Sequence, residues 1–277
     1  MRETKVVETV IIRIIEENSG TAIAKDPEFR IVEIFESLQG EGYNTGMPAI
    51  FIRLGRCDLA CPWCDTDYLT FTPMPLSQLL HKLQDFTAKN IIITGGEPAI
   101  HPHLTILLDS LKSRGYYLCI ESNGLHQIPA QIDYIATSPK ACYAERYQLN
   151  GLNRADEVRI VVDIDAITGS SEENVPVEVT KDLVPTAPHE ALTDAERRFI
   201  NFAESMAQKI SAKHYYLSPL EQDGQMTIYQ TIRLIGLLNT ARSDEQKDMG
   251  QEPMSTAFQK GVHWQLSVQT HKWAGIE

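Results

Sequence analysis

Basic residues are scarce in this sequence relative to acidic ones. Its 277 residues include 25 lysines and arginines against 37 aspartates and glutamates, which gives a formal net charge of −12. Nucleic-acid binding needs a basic surface that neutralises phosphates, and anionic membrane surfaces attract clusters of Lys and Arg. We therefore expect no direct nucleic-acid binding and no association with a membrane surface.

Long apolar runs are also missing. The longest are short stretches such as Ile91-Ile92-Ile93, whereas a transmembrane helix needs about 20 consecutive apolar residues. The residues after Met1 mix charged with apolar side chains, unlike the unbroken apolar stretch of a signal peptide. These absences predict a cytoplasmic protein without a signal peptide.

Cysteine is infrequent, and a disulfide framework is not expected in the cytoplasm. Three of the five cysteines fall between Cys57 and Cys64, at the spacing C-x3-C-x2-C. A structural zinc site normally has four protein ligands and a ferredoxin-type run carries a fourth cysteine, so neither pattern is complete. Three thiolates can instead hold three irons of a [4Fe–4S] cluster and leave one iron open. A zinc-bound scaffold or a thioredoxin-like Cys61–Cys64 redox pair stays an alternative, and Cys119 and Cys142 are assigned no role.

The three-cysteine spacing is the signature of the radical S-adenosylmethionine (SAM) enzymes, which the sequence resembles. The resemblance implies a [4Fe–4S] cluster held by Cys57, Cys61 and Cys64. It also implies that SAM binds the open iron through the amino and carboxyl groups of its methionine end.

Apolar periodicity predicts strands that alternate with helices. The predicted strands are 30–35, 49–54, 90–94, 116–120, 134–137, 157–162, 214–217 and 266–269, and the predicted helices are 76–86, 104–114, 194–210 and 227–238. Alternation of this kind is typical of an α/β fold with a parallel sheet. The radical SAM resemblance makes this a partial (β/α)6 barrel over residues 30–277. We interpret 1–29 as an N-terminal extension, 166–193 as an irregular insertion and 241–255 as a loop.

Polar motifs follow the C-terminal ends of the predicted strands, where ligands bind in α/β barrels and open α/β sheets. They are Gly95-Gly96-Glu97-Pro98, Glu121-Ser122-Asn123-Gly124, Ser138-Pro139-Lys140 and Ser218-Pro219-Leu220-Glu221. Each alone is more often an ordinary turn, but each resembles a SAM-contacting segment of the radical SAM enzymes. The implied SAM-binding residues are Trp63, Cys64, Asp65, Gly96, Glu97, Glu121, Asn123, Ser138, Pro139, Lys140, Ser218, Pro219, Leu220 and Glu221.

A narrower resemblance rests on four motifs. They are Gln39-Gly40-Glu41-Gly42, Cys64-Asp65-Thr66, the S-P-K segment and Gln269-Thr270-His271-Lys272. Together they resemble the 7-carboxy-7-deazaguanine synthase family over about residues 30–277. The resemblance implies conversion of 6-carboxy-5,6,7,8-tetrahydropterin to 7-carboxy-7-deazaguanine with loss of ammonia, in queuosine and 7-deazapurine biosynthesis. The N-terminal extension, the long insertion and Arg56, which replaces a usual glycine, depart from the family.

The same resemblance implies roles for individual residues. Glu41 is a candidate catalytic group for proton management, and Thr66 is a candidate Mg²⁺ ligand because a hydroxyl is a hard oxygen ligand. Arg53 would pair with the substrate carboxylate in the bidentate geometry that a guanidinium favours. The implied substrate-binding residues are Leu38, Gln39, Gly40, Arg53, Thr94 and Glu277.

The implied partners are a pterin substrate, an electron donor such as flavodoxin or ferredoxin, and a second copy of the chain in a homodimer. A radical SAM activase, which takes hydrogen from a glycine of a partner protein, shares the three-cysteine spacing and is the alternative enzyme. Q-G-E-G and C-D-T favour the pterin enzyme. Turnover of the pterin without a protein substrate would separate the two.

Overall fold

Of the 277 residues, this computed structural model describes 26–164, 192–222, 225–248 and 262–276. The predicted N-terminal extension lies outside the described residues up to position 25, and the predicted insertion lies outside them up to position 191. Within the described ranges, no helix is both long and apolar enough to cross a bilayer.

One sheet of nine strands organises the described residues, in the spatial order β11-β8-β7-β6-β5-β4-β2-β1-β3. Its strands are β1 Glu28–Leu38, β2 Pro48–Leu54, β3 Thr72–Pro75, β4 Asn90–Gly95, β5 Tyr117–Ser122, β6 Tyr134–Thr137, β7 Glu157–Val162, β8 His214–Pro219 and β11 Trp264–Leu266. Two short strands, β9 Glu221–Gln222 and β10 Gln225–Met226, pair with each other apart from this sheet.

Strands β2, β4, β5, β6, β7 and β8 run parallel. Their order in the sheet follows their order in the chain, as repeated crossovers of one hand produce. β11 continues the parallel set beyond β8, and β1 joins β2 in the antiparallel sense. The outermost strands β3 and β11 lie at opposite ends of the order, so the sheet is open. Seven parallel strands in one sheet confirm the predicted α/β fold with a parallel sheet.

Six α-helices lie around this sheet in the described residues, and the last of them lies at the cavity rather than on the outer face. They are α1 Leu76–Lys82, α2 Leu104–Lys112, α3 Ala144–Leu149, α4 Asp194–Lys209, α5 Ile228–Asp248 and α6 Thr270–Ala274. Leu79 of α1 and Leu107 of α2 are fully buried in one core with Ile50 and Ile93 of the sheet, while Phe199 of α4 is fully buried in a second core. Full burial of a side chain of this size contributes about 1.5–3 kcal/mol. Packing against the sheet therefore holds the helices in place.

Alternation along the strands separates this outer face from an inner one. In β2, Ile50, Ile52 and Leu54 join the core under the helices, whereas Phe51 and Arg53 line an internal cavity. Successive side chains of a strand point to opposite faces. Polar residues inside the strands are thereby collected on the concave side of the sheet.

Several elements differ from the sequence prediction, among them the unpredicted helices α3 and α6. Helix α5 continues to Asp248, so 241–248 is helical rather than a loop, because these polar residues include good helix formers. The last strand is Trp264–Leu266 rather than 266–269. The sequence did not predict β3, because its four residues are too few for periodicity and it is held by pairing with β1.

Candidate active site

A cavity of about 770 Å³ opens at the C-terminal ends of the parallel strands. Its wall comes from the concave face of the sheet, from the loops that follow the strands and from α6. The charged and polar residues in the wall include Glu33, Gln39, Glu41, Arg53, Thr94, Glu121, Ser138, Lys140, Arg159, Ser218, His271 and Lys272. This edge of a parallel sheet is where α/β enzymes bind their ligands.

The cysteine loop follows β2 directly and forms one side of the cavity. Cys57, Cys61 and Cys64 all line it. The Cys57 sulfur accepts a hydrogen bond from the Leu59 N–H at 3.4 Å, and the Cys64 N–H donates to the Cys61 carbonyl at 3.2 Å. The thiol of Cys61 also lies beside that of Cys142, which raises the pKa of Cys61 and lowers that of Cys142. The loop is thus folded so that its three thiols reach the same space.

Asp58 ties the cysteine loop to the rest of the fold. Its carboxylate accepts hydrogen bonds from Asn123 Nδ2 and Arg146 Nη2, both at 2.9 Å, and lies 3.0 Å from His126 Nε2. Burial alone would raise the pKa of Asp58, but the hydrogen bonds from His126 and Asn123 and the charge of Arg146 lower it. Asp58 therefore fixes the cysteine loop against the end of β5 and helix α3.

Trp63 is held on the opposite side of the loop. Its indole Nε1 donates to Asp163, and its ring lies 5.1 Å from Lys140 Nζ. Lys140 also donates to Ser138 Oγ at 2.8 Å. Burial lowers the pKa of Lys140, while the neighbouring cysteines and Glu41 oppose this shift. The S-P-K segment and the cysteine loop are therefore in direct contact.

The two glycines after β4 allow two backbone segments to pack closely. A Cβ added to Gly95 would lie 1.9 Å from the carbonyl oxygen of Leu54, and one added to Gly96 would lie 2.1 Å from that of Arg56. The Gly96 N–H donates to the Leu54 carbonyl at 3.0 Å. Any side chain here would push the G-G-E-P turn away from the start of the cysteine loop.

Glu97 of the same turn is buried, with an exposed fraction of 1%. Its Oε1 accepts from the Ala99 N–H at 3.0 Å and Ser122 Oγ at 2.9 Å, and its Oε2 accepts from the Asn123 N–H at 2.6 Å. Burial raises the pKa of Glu97, and the three donors oppose that shift. The carboxylate connects the end of β4 to the end of β5.

Glu121 stands at the centre of a polar network on the cavity wall. Its Oε1 accepts from Gln39 Nε2 at 3.0 Å and from Arg159 Nη2 at 2.9 Å, and its Oε2 accepts from Thr94 Oγ1 at 3.1 Å. Gln39 Oε1 in turn accepts from the Glu41 N–H at 3.0 Å. The Q-G-E-G loop is thereby fixed across the cavity from the cysteine loop.

Arg53 enters the cavity from β2. Its Nε donates to Glu33 Oε1 at 2.5 Å. Within the described residues, its guanidinium makes no other hydrogen bond or ion pair to a protein group. A guanidinium held by one nitrogen keeps the edge formed by its other two nitrogens for a second carboxylate. Arg53 can therefore receive an anionic group of a ligand.

The chain is similar to known proteins over most of its length. Residues 51–150 match the radical SAM superfamily. The chain is 54% identical to the 7-carboxy-7-deazaguanine synthase of Neisseria meningitidis serogroup B, over 91% of this chain and 96% of that protein. The chain belongs to the 7-carboxy-7-deazaguanine synthase family. The family member of Haemophilus influenzae is 48% identical, with the same shares covered.

A solved structure gives the same picture of the fold. The crystal structure of QueE from Escherichia coli matches with a TM-score of 0.53 at 24% identity, over 87% of this chain and 94% of that chain. The likeness concerns the fold alone. Membership of the 7-carboxy-7-deazaguanine synthase family rests on the sequence relatives.

Membership of this radical SAM family implies a [4Fe–4S] cluster and SAM, and the cysteine loop fits the cluster. In the described part of the chain, no three His, Cys, Asp or Glu side chains converge on a single metal ion. This is compatible with Cys57, Cys61 and Cys64 each binding a different iron. Burial raises the pKa of the Cys57 thiol to about 11, and a bound iron would hold it as the thiolate.

The part of the cavity wall at the end of β8 fits SAM. Ser218 Oγ is buried on the cavity wall and has no hydrogen-bond partner among the described residues. A buried polar group without a partner costs about 1–3 kcal/mol. A ligand that supplies the partner removes this cost, so the hydroxyl fits a cofactor with several polar groups.

The cavity brings together most of the residues that the family resemblance implied. Of those in the described ranges, all line the cavity except Glu97 and Pro139. Glu97 binds Ser122 and the Asn123 N–H at the end of β5, and its role toward SAM stays a prediction. Glu277 lies outside the described residues.

Sequence reasoning missed several residues of the wall. Lys272 of α6 donates to Glu221 at 3.0 Å and to Asp65 at 3.5 Å, and it lines the cavity with Arg159 and His271. A charged residue within the apolar strand E-V-R-I-V-V was the available signal for Arg159. Its partners could not have been found from the strand alone.

The backbone conformation of Arg56 shows why a glycine is usual at this position in the 7-carboxy-7-deazaguanine synthase family. Its φ of 80° is the one positive value outside glycine among the described residues. Such a conformation costs a residue with a Cβ roughly 1–2 kcal/mol. The guanidinium of Arg56 lies 5.4 Å from the Phe71 ring, and that of Arg30 lies 5.8 Å from the same ring. A cation–π contact contributes about 0.5–1 kcal/mol, which offsets part of the cost.

Proposed function

We propose that this protein converts 6-carboxy-5,6,7,8-tetrahydropterin to 7-carboxy-7-deazaguanine with release of ammonia, as a step of queuosine and 7-deazapurine biosynthesis. The supporting observation is that the Q-G-E-G loop, Arg53 and Thr94 face the three-cysteine loop across one cavity in a chain of this family. The cavity volume of about 770 Å³ lies within the range of about 300–1,000 Å³ usual for ligand pockets.

When bound, the cluster and SAM supply the radical chemistry, and the protein supplies binding, orientation and shielding. Shielding is assigned to the apolar part of the wall. Phe35 and Phe51 stack with their ring centroids 5.0 Å apart, and both line the cavity with Leu59 and Val161. These side chains exclude water from the space between the Q-G-E-G loop and the cysteine loop.

The polar part of the wall is assigned to the pterin. We assign Glu121, which the radical SAM resemblance implied at SAM, to the pterin instead, because Arg159 holds it on the same side of the cavity as Glu41. A pterin presents ring N–H and amino donors, and these two carboxylates present acceptor oxygens. Glu41 Oε2 is held at 2.9 Å by Arg159 Nε, which leaves its other oxygen to accept a proton. Thr94 and Gln39 keep the Glu121 carboxylate oriented.

The test of this function is anaerobic turnover by the cluster-loaded protein with SAM, a reductant and the pterin. We expect 7-carboxy-7-deazaguanine and ammonia to form in equal amounts without any protein substrate. SAM cleavage that needs a partner protein and produces a glycyl radical would assign the chain to the activases. Stoichiometric zinc with no iron would remove the radical SAM function altogether.

Replacing Arg53 tests recognition of the substrate carboxylate. A hydrogen bond to a charged group contributes about 1.5–3 kcal/mol, so Arg53→Gln should raise the KM for the pterin roughly 10- to 100-fold. Arg53→Lys should cost less, because it keeps the charge. Steady-state kinetics with the pterin and with an analogue that lacks the carboxylate measure the effect.

The matched control is Arg114→Gln, since Arg114 lies exposed beyond the end of α2 and donates to the Ser110 carbonyl. Its KM should equal that of the unchanged protein. If Arg53→Gln discriminates against the carboxylate-free analogue as strongly as the unchanged protein does, Arg53 does not bind the carboxylate.

Thr66 is proposed as a Mg²⁺ ligand. It lies on the cavity wall beside the cysteine loop, with its hydroxyl 3.5 Å from Asp65 Oδ1. Mg²⁺ takes hard oxygen ligands and keeps several waters, so one hydroxyl and the substrate can hold it. Thr66→Ala should abolish the stimulation of turnover by Mg²⁺, whereas Thr105→Ala on the exposed side of α2 should retain it. Equal magnesium dependence in both variants would show that Thr66 is not a ligand.

The electron donor and the oligomeric state are part of the same proposal. The cluster needs an external one-electron donor, and we assign this role to a flavodoxin or a ferredoxin. We further propose a homodimer as the working form. Reduction of the bound cluster by each donor and the mass of the protein in solution are the measurements that test these two assignments.

A further inference from the structure

Arg159 lies in the middle of β7, and its side chain is 7% exposed on the concave side of the sheet. Three carboxylates surround it. Nε lies 2.9 Å from Glu41, Nη2 lies 2.9 Å from Glu121, and Nη1 lies 3.2 Å from Glu157. Glu41 comes from the Q-G-E-G loop and Glu121 from the end of β5, so one guanidinium joins two separate walls of the cavity.

Glu157 anchors the guanidinium from behind. Its side chain is 2% exposed, and its Oε2 accepts from the Tyr43 N–H and from the Tyr134 hydroxyl, both at 2.9 Å. A Cβ added to Gly42 would lie 2.2 Å from Glu157 Oε1, and Gly42 has a φ of +66°. Glu157 therefore holds both Arg159 and the turn that follows Glu41.

All three nitrogens of the Arg159 guanidinium make an ion pair. Each of its three nitrogens faces a different carboxylate, and an ammonium on a flexible stem cannot present donors in three fixed directions at these distances. The same contacts favour the charged forms of Arg159 and Glu121. Burial alone would lower the pKa of Arg159, but Glu41, Glu121 and Glu157 raise it, and Arg159 in turn lowers the pKa of Glu121 against the effect of burial.

We propose that Arg159 is a positioning residue that fixes the carboxylates of Glu41 and Glu121 at the cavity wall for the reaction. Glu157 is its anchor. This assignment rests on the proposed function for its kinetic consequence, because Glu41 and Glu121 are the acidic groups that face the pterin there. A residue that only fills space inside the sheet would not need three carboxylate partners.

The kinetic test compares Arg159→Gln with Arg159→Lys. Arg159→Gln should lower kcat roughly 10-fold or more while the KM for the pterin changes less than about 3-fold, because Arg159 acts on the positions of other side chains rather than on the substrate. Arg159→Lys keeps a cation and should recover part of the loss. Arg114→Gln is the control for loss of a surface arginine and should leave kcat unchanged.

A second measurement does not depend on turnover. The melting temperature of the cluster-loaded protein is followed from pH 5 to pH 8 in each variant. In the unchanged protein the lowered pKa of Glu121 adds stability above the unfolded pKa, and this stability is lost as the pH falls through the folded pKa. Without the cation, only the hydrogen bonds from Gln39 and Thr94 oppose the effect of burial, so the Glu121 carboxyl of Arg159→Gln should destabilise the fold, relative to Arg159→Lys, as the pH rises.

The expected difference is a melting temperature of Arg159→Gln that falls by about 3 °C or more relative to Arg159→Lys between pH 5 and pH 8. The charged or titrating groups near Glu121 and Arg159 are Glu41, Glu157, Lys140, Tyr134, Tyr216 and His271. All are the same residues in the two variants, so the comparison isolates the loss of the cation beside Glu41, Glu121 and Glu157.

Parallel pH curves for the two variants, with equal losses of kcat, would show that Arg159 acts only through packing and would overturn the proposal. If no form of the protein converts the pterin, the proposed function fails, but the melting curves still test whether Arg159 holds the carboxylates. A divergent pH curve together with recovery by Arg159→Lys supports the assignment.

Discussion

Replacing any one of Cys57, Cys61 or Cys64 with alanine should remove the broad visible absorption of the iron–sulfur cluster and all SAM cleavage. Each of these thiols lines the cavity from a single loop, and a [4Fe–4S] cluster that keeps one iron open for SAM has only three protein ligands. Loss of one ligand leaves two. Anaerobic reconstitution followed by iron and sulfide analysis measures the result, with about four irons per chain expected for the unchanged protein.

Cys119→Ala and Cys142→Ala are the matched controls and should keep the cluster. Cys119 is buried in β5, where it packs with Ile92 and Tyr134. Cys142 is the sharper control, because its thiol lies beside that of Cys61. A cluster that survives Cys57→Ala but not Cys142→Ala would mean that Cys142 is a ligand and that the spacing misidentified the third one.

Glu97→Ala should lower the free energy of unfolding by about 3–5 kcal/mol. The carboxylate is buried and accepts from the Ala99 and Asn123 N–H groups and the Ser122 hydroxyl. Each buried donor left without a partner costs about 1–3 kcal/mol. For a chain of this size the melting temperature should fall by roughly 6–15 °C. Thermal unfolding of the anaerobic protein in the absence of SAM measures this.

The measurement without SAM separates two roles for this residue. A glutamate that only bound the SAM ammonium would leave the SAM-free protein as stable as before and would weaken SAM binding alone. Glu145→Gln on the exposed side of α3 is the control and should shift the melting temperature by less than about 2 °C. A Glu97→Ala variant that melts like this control, yet no longer binds SAM, would contradict the connecting role between β4 and β5.

The parallel α/β sheet could be predicted because it depends on local signals. Apolar periodicity and the polar motifs at the strand ends are each contained in a few neighbouring residues, and parallel strands with crossovers of one hand leave few ways to arrange them. The same holds for the cysteine loop, where Cys57 to Cys64 carry their chemistry in their spacing. The position of the cavity followed from these two facts.

The contacts inside the cavity could not be predicted in the same way. Arg159 meets Glu41 and Glu121, and no local pattern relates three residues on a loop and two strands. The side-chain direction of Glu97 could not be predicted either. Its motif resembles a SAM-binding segment, but the direction of its side chain depends on how the ends of β4 and β5 align, which one strand does not specify. Helix α5 beyond residue 240 was missed because polar residues on a helix carry no apolar face.

The last described residues are joined to the cavity wall by contacts of very long sequence separation. Thr270 donates to the Gly40 carbonyl through its N–H at 3.0 Å and through its hydroxyl at 2.9 Å, across 230 residues of sequence. Contacts at such separation form only after the intervening chain has been ordered, since loop closure must be completed first. During synthesis the N-terminal part folds first, so a nascent chain can hold its sheet while the mouth of the cavity stays open. We therefore expect the contacts of Thr270 with Gly40 to be among the last contacts of the cavity wall to form.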